Sequence, residues 1–196
     1  MRFDQGTWTA FDAAEGLFNA GTRYAVQDAA VGRDGRLWVA TLDGLSVIEG
    51  QSCRRYDSTD WRNATGDPIP EYFNHVRGLK IGPDGSVWFV GTHGTYRFDG
   101  QEFRYHYDAS HVGTYQCSVI DAAGRVWLGD MSDSLVCIDG NAVYKWTMED
   151  YLAGRDVRSL ALDLDGSLWI GTEGGVSHII LEPDAVSYTH LTLPTN

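Results

Sequence analysis

The stretch DGSLWIGTEGGVSHII, from Asp165 to Ile180, is the fourth appearance of one pattern in this chain. Its earlier copies are DGRLWVATLDGLSVIEG from Asp34, DGSVWFVGTHGTYRFDG from Asp84 and AGRVWLGDMSDSLVCIDG from Ala123. Trp38, Trp88, Trp127 and Trp169 anchor the copies, and their spacing is about 40 to 50 residues. A period in that range with several short apolar runs per unit predicts propeller blades.

Each unit reads as four strands. In the second, NHVRGLKIGP is strand a, SVWFVGT strand b, GTYRFDG strand c and QEFRYHYD strand d. Asp84-Gly85 turns the chain between a and b, and Asp99-Gly100 between c and d, because Asp-Gly tolerates the positive φ of tight hairpins. The b strands (LWVA, VWFV, VWLG, LWIG) are apolar on both faces, as a strand sandwiched between neighbouring blades should be. Strand d alternates Phe103, Tyr105 and Tyr107 with Arg104 and His106, which fits an outer strand with one wet face. Small residues follow the tryptophans at Ala40, Gly91, Gly129 and Gly171, where a neighbour can approach closely.

The fold class is therefore all-β: a partial β-propeller of about four blades of four-stranded antiparallel sheets. Residues 1–185 form the partial ring, with blades at 23–60, 74–110 and 111–150 and an incomplete a-b-c blade at 155–185. Residues 6–22, with Trp8 and Phe11, read as the end of a preceding blade. An N-terminal strand d and a C-terminal a-b-c set are also what a four-bladed ring needs to close on itself.

With 43% hydrophobic and 12% aromatic residues among 196, the chain has the means for a sizeable core. Its 27 acidic against 15 basic residues give a formal net charge of −12 and leave no basic stripe along the sequence. Nucleic-acid binding and docking on an anionic membrane are disfavoured. Cys53, Cys117 and Cys137 form no CxxC pair and are odd in number, so they read as small apolar core residues rather than disulfides or zinc ligands. No apolar run has the length of a membrane span, and MRFDQGTWTAFD lacks a signal-peptide layout.

The repeats resemble the two-component regulator propeller family, whose signature is roughly D-x-x-G-x-L-W-I-G-T-x-x-G-L. DLDGSLWIGTEGGV follows it almost throughout, and DGRLWVATLDGL and DGSVWFVGTHGTY follow it well. AGRVWLGDMSDSL departs most, with Ala123 in place of the turn Asp and Asp130 in place of the Thr. The resemblance runs from Gly6 to about Ile180 and implies a fragment of a larger, seven-bladed ring. It further implies a periplasmic or otherwise extracytoplasmic input region of a bacterial signalling protein, followed in the full protein by a membrane span and an output such as a histidine kinase. A dimeric full-length protein is expected.

Beyond Ala185, VSYTHLTLPT alternates well enough for a strand d, yet it also resembles the in-frame translation of a sequencing-library adaptor. Residues 186–196 are accordingly read as a non-native tail, which makes the end of the chain a cut.

Function on a propeller usually sits on the face where the d-to-a and b-to-c loops gather. The longest d-to-a connection, DSTDWRNATGDPIPEYFN, offers Trp61 and Tyr72, which either stack on sugar rings and other flat ligands or pin the loop to its blade. His93 and Glu173 occupy equivalent b-to-c positions, and His111 and Tyr115 lie in the next d-to-a loop, where they could add polar contacts to a ligand. Asp163 and Asp165 hint at a calcium loop but lack the further oxygen ligands of a D-x-D-x-D-G pattern, so a plain hairpin turn is favoured and no metal is assigned. No G-x-S-x-G, P-loop or Cys–His constellation occurs, so no catalytic residue and no cofactor is assigned and the chain is read as a non-enzyme.

The expected activity is ligand sensing, with a small molecule or carbohydrate as partner. Two alternatives stand beside it: a propeller enzyme of lactonase or lyase type, and a protein-interaction scaffold. The equivalent b-to-c sites hold Asp43, His93, Ser132 and Glu173, a set too mixed for a shared metal or acid–base centre.

Overall fold

A computed structural model of the chain describes residues 2–4, 7–9, 17, 26–57, 59–62, 66–67, 75–91, 94–108, 115–131, 134–150, 152–181 and 186–187. Strands β1 (Arg2–Asp4) and β2 (Thr7–Thr9) pair as a short antiparallel hairpin. Four four-stranded sheets follow. The first runs β3 (Val26–Val31), β4 (Leu37–Thr41), β5 (Gly44–Glu49) and β6 (Ser52–Tyr56); the second β7 (Val76–Ile81), β8 (Val87–Gly91), β9 (Gly94–Phe98) and β10 (Phe103–Asp108). The third is β11 (Tyr115–Ile120), β12 (Val126–Asp130), β13 (Ser134–Asp139) and β14 (Ala142–Trp146); the fourth β15 (Val157–Leu162), β16 (Leu168–Thr172), β17 (Gly175–Leu181) and β18 (Val186–Ser187). In each sheet the strands are hydrogen-bonded in chain order, so every sheet is a meander. A single 3-10 turn at Met148–Asp150 is the helical element among the described residues.

The fourth sheet differs from its expected a-b-c form. Val186 and Ser187 pair with Leu181 and Ile180, so strand pairing reaches into the stretch read as a tail. An open strand edge offers unpaired N–H and C=O groups to any extended backbone, which asks little of the sequence that joins it.

The a-to-b hairpins repeat one hydrogen-bond scheme. Gly35 N–H donates to Gly32 C=O at 2.9 Å and Gly32 N–H to Arg36 C=O at 2.8 Å, and the same two bonds recur around Gly85, Gly124 and Gly166. These four glycines hold φ between +81° and +86°, the left-handed region that closes such a loop without a Cβ clash. The preceding Asp works through its carboxylate instead: Asp34 Oδ1 accepts Arg36 N–H at 3.0 Å, and Asp84 Oδ1 accepts Ser86 N–H at 3.0 Å. In the third sheet Ala123 leaves that acceptor missing, and Asp121 replaces it by taking the Ala123 and Arg125 N–H groups on Oδ1 at 3.0 and 2.9 Å.

A second repeated feature is a bulge in the first strand of every sheet, between Val26 and Asp28, Val76 and Gly78, Tyr115 and Cys117, and Val157 and Ser159. The bulge sets Asp28 opposite Ala40, Cys117 opposite Gly129 and Ser159 opposite Gly171. A Cβ at Gly129 would stand 2.5 Å from Cys117 Sγ, and one at Gly171 2.4 Å from Ser159 Oγ, which is why the second strand needs a small residue there. In the second sheet the close approach falls at Val90, not at Gly91 as expected. Val90 faces Gly78, so the small residue has changed strands.

The chain divides into two compact units, one built mainly from the first two sheets and the other mainly from the last two. In the first, Trp38, Leu45, Tyr56, Trp61, Leu79, Phe89, Tyr96 and Phe103 belong to one buried cluster dense in aromatic pairs, such as Phe98–Phe103 at 4.5 Å. In the second, Trp127, Leu135, Cys137, Val157, Leu168 and Ile170 form the core. Burial pushes the Cys137 thiol up to about 12, consistent with an inert apolar role. Strands β8 and β12 are buried along their whole length, matching the two-faced apolar pattern. In the fourth sheet Trp169, Val176 and Ile180 are exposed.

Candidate functional site

The d-to-a loop after the first sheet begins with a reciprocal turn. Asp57 N–H donates to Asp60 Oδ2 at 3.0 Å, Asp60 N–H returns to Asp57 C=O at 2.9 Å, and Thr59 N–H is held by Asp57 Oδ1 at 2.8 Å. The loop after the third sheet repeats it with Thr147 and Asp150: Thr147 N–H meets Asp150 Oδ2 at 3.0 Å, and Asp150 N–H meets Thr147 C=O at 2.9 Å. Each turn delivers an apolar side chain into the core of its own unit, Trp61 in one case and Leu152 in the other.

That placement decides between the two readings of Trp61. The indole is 0% exposed and packs on Phe89 at 5.1 Å and Tyr96 at 5.6 Å, so its faces are covered and it pins the loop rather than offering a stacking platform. Tyr72, His93, His111 and Ser132 lie outside the described residues.

In the second unit the b-to-c turn and the d-to-a loop meet, as the expected loop face requires. Glu173 spans them: Oε1 accepts Arg155 N–H at 2.8 Å and Oε2 accepts Asp156 N–H at 2.6 Å. The Arg155 backbone bond holds the Glu173 carboxyl below its ordinary value. Beside it Ala153 N–H donates to Ser177 Oγ at 2.8 Å. Gly154 and Gly174 lie so close that a Cβ on Gly154 would stand 2.6 Å from Gly174 N. Glu173 is exposed, but both its carboxylate oxygens bind loop backbone.

Tyr115 and Asp130 face each other across β11 and β12, and both are buried, at 6% and 4% exposure. Ser134 Oγ donates to Asp130 Oδ2 at 3.4 Å. The equivalents of Asp130 are Thr41 and Thr172, whose hydroxyls donate to Gly44 C=O at 2.9 Å and Gly175 C=O at 3.0 Å. The third repeat thus carries a buried carboxylate where two others carry a turn-closing hydroxyl. Tyr115 is not open to a ligand in this arrangement, a correction to its reading as a loop contact that follows from its place inside the ladder. Asp43 is half-buried, its N–H held by Thr41 Oγ1 at 3.2 Å.

At the opposite strand ends, Asp163 and Asp165 are consumed by the hairpin. Asp163 Oδ2 accepts the Trp169 indole N–H at 3.0 Å, and Asp165 Oδ1 accepts Ser167 N–H at 2.9 Å. Both carboxylates are thus engaged within the hairpin.

Sequence reasoning missed Asp28. Its Oδ2 accepts Leu79 N–H at 3.0 Å and lies 3.0 Å from Lys80 Nζ, which ties the bulge of the first sheet to the first strand of the second. Cys117 Sγ makes the equivalent reach to Val157 C=O at 3.7 Å. The polar residue inside VQDAAV was the available signal, but its partner is 51 positions away.

No family model matches the chain, and no curated protein matches it. Solved structures share its fold. The extracellular domain of a putative hybrid two-component system from B. thetaiotaomicron superposes with a TM-score of 0.69 at 16% identity, over 97% of this chain and 25% of that one. Virginiamycin B lyase from Staphylococcus aureus does so with a TM-score of 0.64 at 16% identity, over 89% of this chain and 58% of the enzyme. The WD40 β-propeller domain of Doa1 gives 0.58 at 14% identity, over 81% of this chain and 52% of that one. The chain spans about a quarter of the length of that two-component-system extracellular domain. Its four meander sheets, with these likenesses, give it the fold of a partial β-propeller.

Proposed function

We propose that this chain is part of the extracytoplasmic input region of a bacterial two-component sensor, and that it binds a small molecule or oligosaccharide on the face built by the d-to-a and b-to-c loops. The observation that carries the reading is the shared fold with a sensor extracellular domain over 97% of the chain. The loop chemistry supports it. The a-to-b hairpins repeat one hydrogen-bond scheme in all four sheets, whereas the other strand ends vary: Thr41 and Thr172 donate to the Gly44 and Gly175 carbonyls, Asp130 accepts from Ser134 Oγ, and Glu173 accepts from loop backbone. Variation on a constant scaffold is how binding surfaces differ among propellers.

Calorimetric titration of the protein with a panel of neutral and acidic oligosaccharides tests this. Saturable binding that Tyr72→Ala or His111→Ala weakens, with an unchanged melting temperature, is the expected result. Binding untouched by every substitution in these loops would remove the face from consideration.

A second reading has its own observation, the likeness to virginiamycin B lyase. It makes a separate demand: incubation with quinupristin, the compound bound to the inactive form of that enzyme, should consume the antibiotic. Glu173 is a poor acid–base candidate for it, because both oxygens are engaged by backbone N–H groups.

A further inference from the structure

The first unit contains a cleft of about 530 Å³ between strand β6, the start of the d-to-a loop that follows it, and the β9–β10 hairpin. Small-ligand sites fall at roughly 300–1,000 Å³. Three arginines from separate segments line it: Arg36 just before β4, Arg54 on β6 and Arg62 in the following loop. Each is held in place. Arg54 lies over the Tyr56 ring with Cζ 4.5 Å from its centroid, and Arg62 Nη1 donates to the carbonyls of Thr59 and Trp61 at 2.7 and 2.8 Å. Arg36 Nε is buried without a hydrogen bond, with the Glu49 and Asp34 carboxylates at 3.4 and 3.5 Å.

The acidic residues in the wall are already engaged. Asp60 Oδ2 accepts the Asp57 N–H at 3.0 Å, and Glu102 Oε1 accepts Arg104 Nε at 2.7 Å. The wall carries three arginines against two carboxylates, Asp60 and Glu102, so an anion seated among the arginines gains more cationic than anionic neighbours. Guanidinium forks match the oxygens of carboxylates and phosphates two at a time. The Gln101 amide and the remaining oxygens of Asp60 and Glu102 add partners for hydroxyl groups.

We propose that this cleft binds a small hydroxylated anion, a carboxylate or phosphate carried on a sugar-sized body. The inference stands on the cleft alone and holds whether or not the chain belongs to a sensor.

Titration of the protein with glucuronate, a glucose phosphate and uncharged glucose tests it. At least one of the two anions should bind about tenfold or more tightly than glucose, and weaken as salt is raised. Glucuronate alone would identify a carboxylate site and the glucose phosphate alone a phosphate site; both results support the cleft. Arg54→Gln and Arg62→Gln, at exposed positions, should each weaken binding about tenfold, Arg54→Lys should lose less, and Arg158→Gln on the fourth sheet should change nothing. Equal binding of glucose, unaltered affinity in both glutamine variants with folding intact, or no anion bound below about 10 mM would overturn the proposal.

Discussion

The carboxylate of Asp28 accepts the backbone N–H of Leu79 at 3.0 Å, so a side chain raised by the bulge of β3 completes the hydrogen bonding of β7. The bulge is what makes this possible, because an unbroken ladder would aim that side chain differently. Leu79 itself is 1% exposed.

Asp28→Ala should therefore lower stability to urea by about 1–3 kcal/mol, since it leaves a buried donor unpaired. Asp28→Asn keeps an acceptor and should lose less than half of that. The Lys80 contact adds little, because its partners are 37% and 31% exposed. An alanine variant with an unshifted urea midpoint would show that the bond is dispensable.

Asp121 and Asp163 make the same indole bond in different surroundings. Asp121 Oδ2 also holds Arg125 Nε at 2.6 Å, with the two side chains only 4% and 8% exposed, whereas Asp163 is exposed. Asp121→Ala takes a buried carboxylate from Arg125 and should cost about 3–5 kcal/mol, while Asp163→Ala should cost about 1 kcal/mol or less. Replacing both Asp121 and Arg125 by apolar residues should recover much of the loss. Comparable costs at the two aspartates would refute the role given to burial.

The close approach between first and second strands can be moved by design. Gly171→Val alone places a side chain on Ser159 Oγ and should destabilise by about 1–3 kcal/mol. Combined with Ser159→Gly it reproduces the Gly78–Val90 arrangement, and thermal denaturation should show most of the stability restored. A double variant no better than the single one would contradict this account of the bulge.

The Glu173 carboxyl is held below its ordinary value of 4.5 by the backbone bonds it accepts, so folding is favoured by its charged form. That contribution is fully present above about pH 4.5 and disappears as pH falls through the lower folded value. The melting-temperature difference between the protein and Glu173→Gln should thus be largest near about neutral pH and shrink in acid. A difference that grows on acidification would reverse the sign of the linkage.

The four tryptophan-anchored repeats, the meander order of the strands and the hairpin glycines were legible in the sequence because each depends on neighbours in the chain. A glycine at Gly35 or Gly166 closes its turn through bonds to residues within four positions. The doubly apolar b strands β8 and β12 are buried along their whole length as their pattern predicts, whereas β16, with the same pattern, leaves Trp169 exposed. The candidate site was less legible. Trp61 looked the same in sequence whether it stacked on a ligand or on Phe89, and Glu173 looked free until the loop carrying Arg155 and Asp156 closed over its carboxylate.

What the sequence determined by itself is the repeating unit: its strands, its turns and the fold class they build. Tertiary structure decided the rest, namely which strand carries the small residue at each bulge, which carboxylate serves a neighbouring sheet, and that Arg36, Arg54 and Arg62 line one cleft. The physical reason is range. Turn chemistry and alternation act between residues a few positions apart, whereas burial, ion pairing and the filling of a polar cleft depend on side chains brought together from distant strands, whose partners no local pattern names.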